Sequence, residues 1–200
     1  MSDKARLIVG ISGASGAVYG IRLLEALSPM PVESHLIMTK AAELALAYET
    51  DLTPAQVHAL ADVSHPNADV GGATASGSFR TLGMIIAPCS IRSMSEIATG
   101  VTSSLLTRSA DVVLKERRRL VLTVRETPLH LGHLRTLTQL AEFGAIIAPP
   151  VPAMYARPTS IDAMVDHTVG RLLDLFDLDA GLVARWRDPA ATRRSGRDTG

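Results

Sequence analysis

Residues 7–20 read Leu-Ile-Val-Gly-Ile-Ser-Gly-Ala-Ser-Gly-Ala-Val-Tyr-Gly. Leu7 to Ile11 is a short, β-rich apolar run. Gly, Ser and Ala follow, and Ala17 to Leu27 then takes up helical spacing. A strand that passes through a glycine-serine loop into a helix is the opening unit of an α/β fold. Gly10, Gly13, Gly16 and Gly20 give G-x-x-G-x-x-G-x-x-x-G. This is not a Walker A loop, because no Gly-Lys-Ser/Thr follows, and it is not the G-x-G-x-x-G dinucleotide fingerprint. Two readings stand. The loop holds an anion with its backbone N–H groups and the positive end of the helix, or it is a tight turn with close packing. Ser12 and Ser15 add hydroxyl donors to the first.

The alternation continues outward from this stretch. Val32 to Met38 reads as a second strand ending at Thr39, and Lys40 to Tyr48 as a helix. Thr53 and Pro54 signal another helix start, since proline is tolerated in a first turn. Asp62 to Arg80 is polar, small and glycine-bearing, and reads as one long loop of the kind that is often functional. Met84 to Ala87 is a buried strand stopped by Pro88. Helices are expected over Ile91 to Ala98 and Ser104 to Arg118, and a strand over Leu120 to Val124. A helix over His130 to Phe143 and a strand over Ala145 to Ala148 follow, closed by Pro149-Pro150. Thr159 or Ser160 caps a last helix through Phe176. From Arg187 the chain is polar and is expected to be a disordered tail behind a single domain of residues 1–186. Strands this continuously apolar are covered by helices on both faces. The expected fold is therefore a three-layer α/β sandwich around a mostly parallel sheet. Ligands in such sheets sit beyond the carboxyl ends of the strands. Those ends are Ser12-Gly13, Thr39, Pro88-Cys89-Ser90, Arg125-Glu126 and Pro149 to Tyr155.

Composition narrows the function classes. The 200 residues suit one domain, and 46% hydrophobic residues with only 4% aromatics make its core aliphatic. Lys plus Arg, 20, equals Asp plus Glu, 20, so no bulk attraction to nucleic acid or an anionic membrane is expected. The single cysteine, Cys89, excludes an internal disulfide and a cysteine-rich zinc site. No apolar run approaches the roughly 18 residues of a membrane span. Met1 to Arg6 leads straight into the first strand without a signal-peptide block, so the expected location is the cytoplasm.

Charged residues mark the strand ends. Arg125 and Glu126 directly follow a strand, where a guanidinium offers a fork suited to phosphate. Lys115 closes the apolar helical stretch Val112-Val113-Leu114, whereas Arg117 to Arg119 read as a solvated helix end. Arg171 interrupts the apolar face of the last helix and either snorkels or binds a ligand. Glu49 and Tyr155 sit at element ends, where polar residues often carry function. His130 and His133 are three apart on one predicted helix, but no third ligand accompanies them, so no metal is expected. His35, His58, His65 and His167 show no catalytic pattern. Cys89 lies at a helix start, where a thiol pKa can fall, although a small buried residue is the plainer reading. No G-x-S-x-G elbow of a hydrolase is found.

Taken together, these motifs resemble the UbiX/Pad family of flavin prenyltransferases. The resemblance runs from about Leu7 to Trp186 and rests on several separated segments. They are Gly10 to Gly16, Tyr48-Glu49-Thr50, Ala75-Ser76-Gly77-Ser78, Pro88-Cys89-Ser90, Arg108 to Glu116, Val124 to Leu129, and Pro152-Ala153-Met154-Tyr155. Their joint order makes the match specific. Ser76 to Thr81 looks most like the branch associated with phenolic acid decarboxylases.

The resemblance implies a flavodoxin-like, Rossmann-like fold that binds FMN, needs no metal and forms a homo-oligomer, commonly a dodecamer. It implies transfer of a dimethylallyl group from dimethylallyl phosphate to N5 and C6 of reduced FMN. The product, prenylated FMN, serves a partner decarboxylase of the UbiD type. Gly13, Ala14, Ser15, Thr39, Ser90, Ile91, Arg92, Ser93 and Arg125 match flavin-binding positions. Lys115, Arg125, Tyr155 and Arg171 match those that hold dimethylallyl phosphate. Breaking the allylic C–O bond leaves phosphate with extra negative charge, which the three cations would stabilise. Ser15 and Glu49 match positions tied to proton handling, and Glu126 is a second acid/base candidate. Trp186 matches a tryptophan that helps cover the site. The chain departs from the family pattern at Ser12 and Ser93, each usually Thr, and at Arg92, usually small or Lys. It departs again at His130-Leu131-Gly132, where a Ser-Ile pattern is usual.

Two competing readings remain. One is a cysteine-decarboxylating flavoprotein, for which His65 is the available loop histidine, without that motif around it. The other is a non-catalytic FMN-carrying subunit of an aromatic acid decarboxylase, which would not need a second phosphate site.

Overall fold

The computed structural model describes residues 4–183, 185 and 186; the tail expected from Arg187 onward lies outside the described residues. Six strands form one sheet: β1 (Ala5–Ile11), β2 (Val32–Met38), β3 (Val63–Pro66), β4 (Gly83–Cys89), β5 (Arg119–Val124) and β6 (Ile146–Ile147). Between them lie α1 (Ala17–Leu27), α2 (Lys40–Glu49), α3 (Pro54–His58), α4 (Ile91–Thr99), α5 (Leu105–Lys115) and α6 (Leu131–Glu142), and α7 (Ile161–Asp174) follows β6. The spatial order is β3-β2-β1-β4-β5-β6, and every neighbouring pair is parallel. From β1 the chain builds outward in one direction, and from β4 in the other. Right-handed crossovers then put helices on opposite faces and leave a crevice between the carboxyl ends of β1 and β4. The result is the expected three-layer α/β fold; its sheet is doubly wound and wholly parallel. The chain divides into two compact units between Pro150 and Val151, the whole sheet lying in the first and α7 in the second.

Alternation along the strands sorts the core. Ile8, Ile37, Met84, Ile86, Leu120, Leu122 and Val124 cluster with residues of α4, α5 and α6, with no aromatic residue among them. α1 packs on β1, β2 and β4. Two glycines, Gly20 in α1 and Gly10 in β1, serve this packing. A Cβ at Gly20 would lie 2.5 Å from the Ala87 carbonyl oxygen and 2.6 Å from Ile11, so α1 rests directly on the sheet. A Cβ at Gly10 would meet Met84, Ile86 and Leu106 at 3.1 to 3.2 Å.

Three local expectations are corrected. Residues 62–80 are not one loop, because they contain β3 and a 3-10 turn at Ala73–Ala75. β3 is an edge strand paired only with β2, and its residues alternate between half-buried and exposed, so it lacks the apolar signal of an inner strand. Pro88 does not stop β4, which runs on to Cys89. Its pairing with β5 shifts register between Ile86 and Cys89, where a residue without an N–H is tolerated. His130 is not in α6 but caps it, its Nδ1 accepting from the His133 N–H at 3.3 Å.

Cys89 is wholly buried at the end of β4, and burial pushes its thiol up to about 12. The neighbouring helix start does not lower it. At pH 8 the native protein is expected to resist iodoacetamide under conditions that alkylate it fully in denaturant. Native labelling at the rate of a free thiol would contradict this placement.

Candidate functional site

Ser12 closes the floor of the crevice between β1 and β4. Its buried hydroxyl donates to the Pro88 carbonyl at 3.0 Å and accepts from the Ser90 N–H at 2.7 Å. Ser12 is thus committed to joining two strand ends rather than to a ligand. A cavity of about 620 Å³ opens at these strand ends, lined among others by Gly13, Thr39, His65, Ser90, Ser93 and Thr107.

Helix N-termini decide where an anion can sit. Gly16 takes the left-handed conformation, φ 105°, that only glycine adopts easily, and turns the chain into α1. The N–H groups of Gly16 and Ala17 then donate to Glu49 Oε2 at 2.8 and 3.0 Å. Burial alone would raise the Glu49 pKa. Hydrogen bonds from the Ser15 hydroxyl and these two N–H groups, with the nearby Arg125 charge, outweigh it and hold the carboxyl below its usual range. The anion that this loop cradles is therefore the side chain of the last residue of α2. The start of α5 is also covered. The Asn67 carbonyl accepts from the Leu105 N–H at 2.8 Å, and Asn67 Oδ1 accepts from the Leu106 N–H at 3.1 Å.

α2 and α4 remain. Thr39 and Ser90 accept from the N–H groups of Ala42 and Ser93, the third residue of each helix. The N–H groups of Lys40, Ala41, Ile91 and Arg92 precede the first turn's internal bonds and have no partner within their own helices. Gly13 lies against α2 so closely that a Cβ would fall 2.3 Å from that of Ala41. Two positive helix ends with the hydroxyls of Thr39, Ser90 and Ser93 between them fit a phosphate group.

Of the expected site residues, Gly13, Thr39, Ser90, Arg92 and Ser93 line the cavity. Ile91 instead packs against the hydrophobic core. Arg92 is largely exposed, and its Nε lies 2.8 Å from Glu96 Oε1, so its charge is matched on its own helix. Ser15, Glu49 and Arg125 form a second group, joined through the backbone by Ala14, whose N–H bonds the Ser12 carbonyl. Glu126 is exposed, and its carboxylate accepts from the Thr127 N–H at 2.9 Å. Lys115 is not brought to this end of the sheet. It closes α5 before β5 begins, with its Nζ 2.7 Å from Glu116 Oε1. There Arg118 donates to the carbonyls of Gly77 and Phe79 at 2.7 Å each, so the Ser76 to Ser78 segment and the end of α5 hold one another. In the second unit, Tyr155 Oη lies 3.2 Å from His167 Nε2, and its ring meets those of His167 and Trp186 edge-on. Arg171 Nη1 donates to Asp174 Oδ2 at 2.7 Å.

The sequence carries no signal for the histidines of the cavity wall. With β3 read as loop, no register places His65 beside His35; the parallel pairing of β2 and β3 does so. Asn67 likewise reads as an ordinary loop residue. Among the described residues no group of three or more His, Cys, Asp or Glu could hold a metal ion, and no helix is long and apolar enough to cross a membrane.

Phosphate-fitting helix ends at the switch point of a doubly wound sheet define a nucleotide-cofactor site. Residues 1–173 match the flavoprotein family, and the chain is a member of it. Flavin prenyltransferase UbiX of Escherichia coli (strain K12) is 58% identical over 185 residues, covering 91% of this chain and 98% of that protein. AnUbiX (PadA1), solved in complex with FMN and dimethylallyl pyrophosphate, gives a TM-score of 0.91 at 49% identity, covering 92% of this chain and 98% of that one. The dodecameric FMN-dependent UbiX-like decarboxylase from Escherichia coli O157:H7 gives 0.89 at 46% identity, covering 92% and 100%. Within the flavoproteins, the chain belongs to the UbiX family of flavin prenyltransferases.

Proposed function

We propose that this protein joins the dimethylallyl group of dimethylallyl phosphate to N5 and C6 of reduced FMN and yields prenylated FMN for a UbiD-type decarboxylase. The observation that carries the reading is the 58% identity to a flavin prenyltransferase over 98% of that enzyme's length. The cavity supports it on physical grounds.

The FMN phosphate is assigned to the first turns of α2 and α4, with the hydroxyls of Thr39, Ser90 and Ser93 as further donors and Gly13 providing clearance. When bound, the reduced flavin supplies the electron-rich ring that accepts the prenyl group. Departure of phosphate from the allylic carbon concentrates negative charge. Arg125 is assigned to that charge, and by family likeness alone Tyr155 and Arg171 are assigned to the prenyl phosphate. Ser15 donates to the ionised Glu49, and the two form a short path along which a proton can be held or passed. Glu126 is the second carboxylate at the same strand end. Lys115 lies at the other end of its helix within its own chain, so its assignment to the same charge requires a neighbouring copy in the homo-oligomer. Leu129, Leu131, Leu134 and Phe143 are exposed, and α6 buries only Leu140. That apolar face supports a homo-oligomer, and the enzyme is assigned to the cytoplasm.

Anaerobic incubation with reduced FMN and dimethylallyl phosphate is expected to give a flavin heavier by one isoprene unit, with one phosphate released per flavin modified. Tight FMN binding with unchanged flavin mass would favour a carrier instead.

A further inference from the structure

Glu33, His35 and His65 form a line of hydrogen bonds that ends at the cavity wall. His35 is 3% exposed, its Nε2 lies 2.7 Å from Glu33 Oε1, and its Nδ1 lies 2.9 Å from His65 Nε2. The two rings stack, with centroids 5.2 Å apart, and His65 lines the cavity. An ionised carboxylate only accepts, so His35 Nε2 carries a hydrogen. A neutral imidazole has one donor and one acceptor. His35 Nδ1 is therefore the acceptor, His65 Nε2 is the donor, and His65 Nδ1 is left as a lone pair. Among the described residues no hydrogen-bond partner meets that Nδ1.

This line takes up one proton without breaking. A proton on His65 Nδ1 keeps both hydrogen bonds, and the resulting cation is linked through His35 to the Glu33 carboxylate. A second proton, on His35 Nδ1, would set two N–H groups face to face at 2.9 Å. The pair therefore titrates as a unit. Burial favours the neutral form of both rings, with Glu33 opposing this at His35 and Asp69 opposing it at His65. Other charged groups around the line are Arg6, whose Nε lies 3.6 Å from Glu33 Oε1 and whose guanidinium lies over the Phe79 ring that meets His35 edge-on, Asp62, which accepts from the Ser34 N–H and interacts with the His35 charge, and His58, which bonds Ser64. Across the cavity stand Lys40 and Glu43 of α2 and the paired Arg92 and Glu96 of α4.

We infer that His65 is a ligand-contacting residue for the phosphorylated flavin, a neutral acceptor in mild alkali and a cation in mild acid, with its single proton governed by Glu33 and His35. The inference rests on the assignment of the FMN phosphate to this cavity. Protonation adds positive charge to the wall, so it strengthens the hold on a phosphomonoester and leaves riboflavin, which lacks the phosphate, unaffected. The FMN phosphate itself gains a proton near about pH 6, which works the other way. Comparison with variants at the same pH removes that contribution.

The experiment measures dissociation constants of oxidised FMN and riboflavin by flavin fluorescence at mildly alkaline and mildly acidic pH. It uses the wild type, His65→Asn, His35→Asn and Glu33→Gln. At alkaline pH, wild type and His65→Asn are expected to bind FMN alike. In acid, the wild type is expected to bind about fivefold tighter than His65→Asn, as for one added charge-assisted contact. Glu33→Gln should fall between them, and riboflavin should show no such divergence. An unchanged FMN ratio at the two pH values, or an equal change for riboflavin, overturns the inference alone. Failure of the wild type to bind FMN at either pH overturns the cavity assignment as well. Long-range ¹H–¹⁵N spectra of the wild type provide a measurement free of variants. Both rings are expected as the Nε2–H tautomer in alkali, with one proton taken up at His65 on acidification. Two independent full titrations would overturn the relay.

Discussion

Glu49→Gln is expected to slow prenyl transfer by about a hundredfold or more, the range of a lost acid–base group, while FMN remains bound. The amide oxygen of glutamine still accepts from the N–H groups of Gly16 and Ala17, which in the wild type lie 2.8 and 3.0 Å from Glu49 Oε2. The loop and the start of α1 therefore persist. What is lost is the charge opposite Arg125 and the acceptor that takes the Ser15 proton. Glu49→Ala should lose the same activity and in addition leave two N–H groups without their acceptor, at a cost of about 1 kcal/mol for a partly solvated site. Single-turnover rates with reduced FMN, alongside FMN affinities, separate the two effects. Turnover of Glu49→Gln within threefold of wild type would remove Glu49 from the proton path.

Glu49 also gives the fold a pH signature. Its carboxyl is held below its usual range, so the folded state favours the charged form. The stabilisation is complete above the unfolded value of about 4.3 and disappears as pH falls through the lower folded value. Wild type should therefore lose stability relative to Glu49→Gln on acidification below about pH 4.3.

Gly20→Val is the substitution expected to damage the fold most. The new Cβ would lie 2.5 Å from a backbone oxygen, Ala87 O, and 2.6 Å from Ile11 Cγ1. Neither is the far end of a flexible chain, so α1 must lift from the sheet. Overpacking of this kind costs about 3 kcal/mol or more, which lowers the melting temperature by about 6–12 °C in a domain of this size. Because Ala87 precedes the strand end that Ser12 ties to β1, FMN affinity should fall as well. Gly71→Ala is the matched control. Its Cβ would meet nothing nearer than 3.8 Å, and it is expected to stay within about 0.5 kcal/mol of wild type. Equal melting temperatures for the two variants would contradict the packing of α1.

How much of the site was legible depended on how local each signal was. Thr39 and Ser90 were legible as strand ends because a hydroxyl residue between an apolar strand and a helix is a cap wherever the fold puts it, whereas Ser93, inside α4, was named only through the family resemblance. Arg125 could be placed because it directly follows a strand. Lys115 was carried to the site by the family resemblance and by its place at the end of an apolar helix. That helix runs antiparallel to the strands, so within its own chain Lys115 lies at their other end. His65 read only as a loop histidine because an edge strand with one partner needs no apolar pattern. Without β3 there is no register to set it opposite Ile37, two residues along β2 from His35.

The sequence by itself determined the layered α/β alternation with its largely parallel sheet, the strand ends and the residues that cap the helices. Periodicity and capping act over a few residues and need no knowledge of distant contacts. Only the tertiary structure decided which helix starts beside the cavity keep their backbone donors available for the phosphate proposed to bind there. Every helix start offers the same unpaired N–H groups, and the loop at 12–16 appears the best of them on composition. Yet Glu49, 33 residues beyond Gly16, covers α1, and Asn67, 39 residues before Leu106, covers α5. α2 and α4 are left with only their own hydroxyl caps. An anion goes where the backbone donors remain available, and that availability is set by side chains that the fold brings from far along the chain.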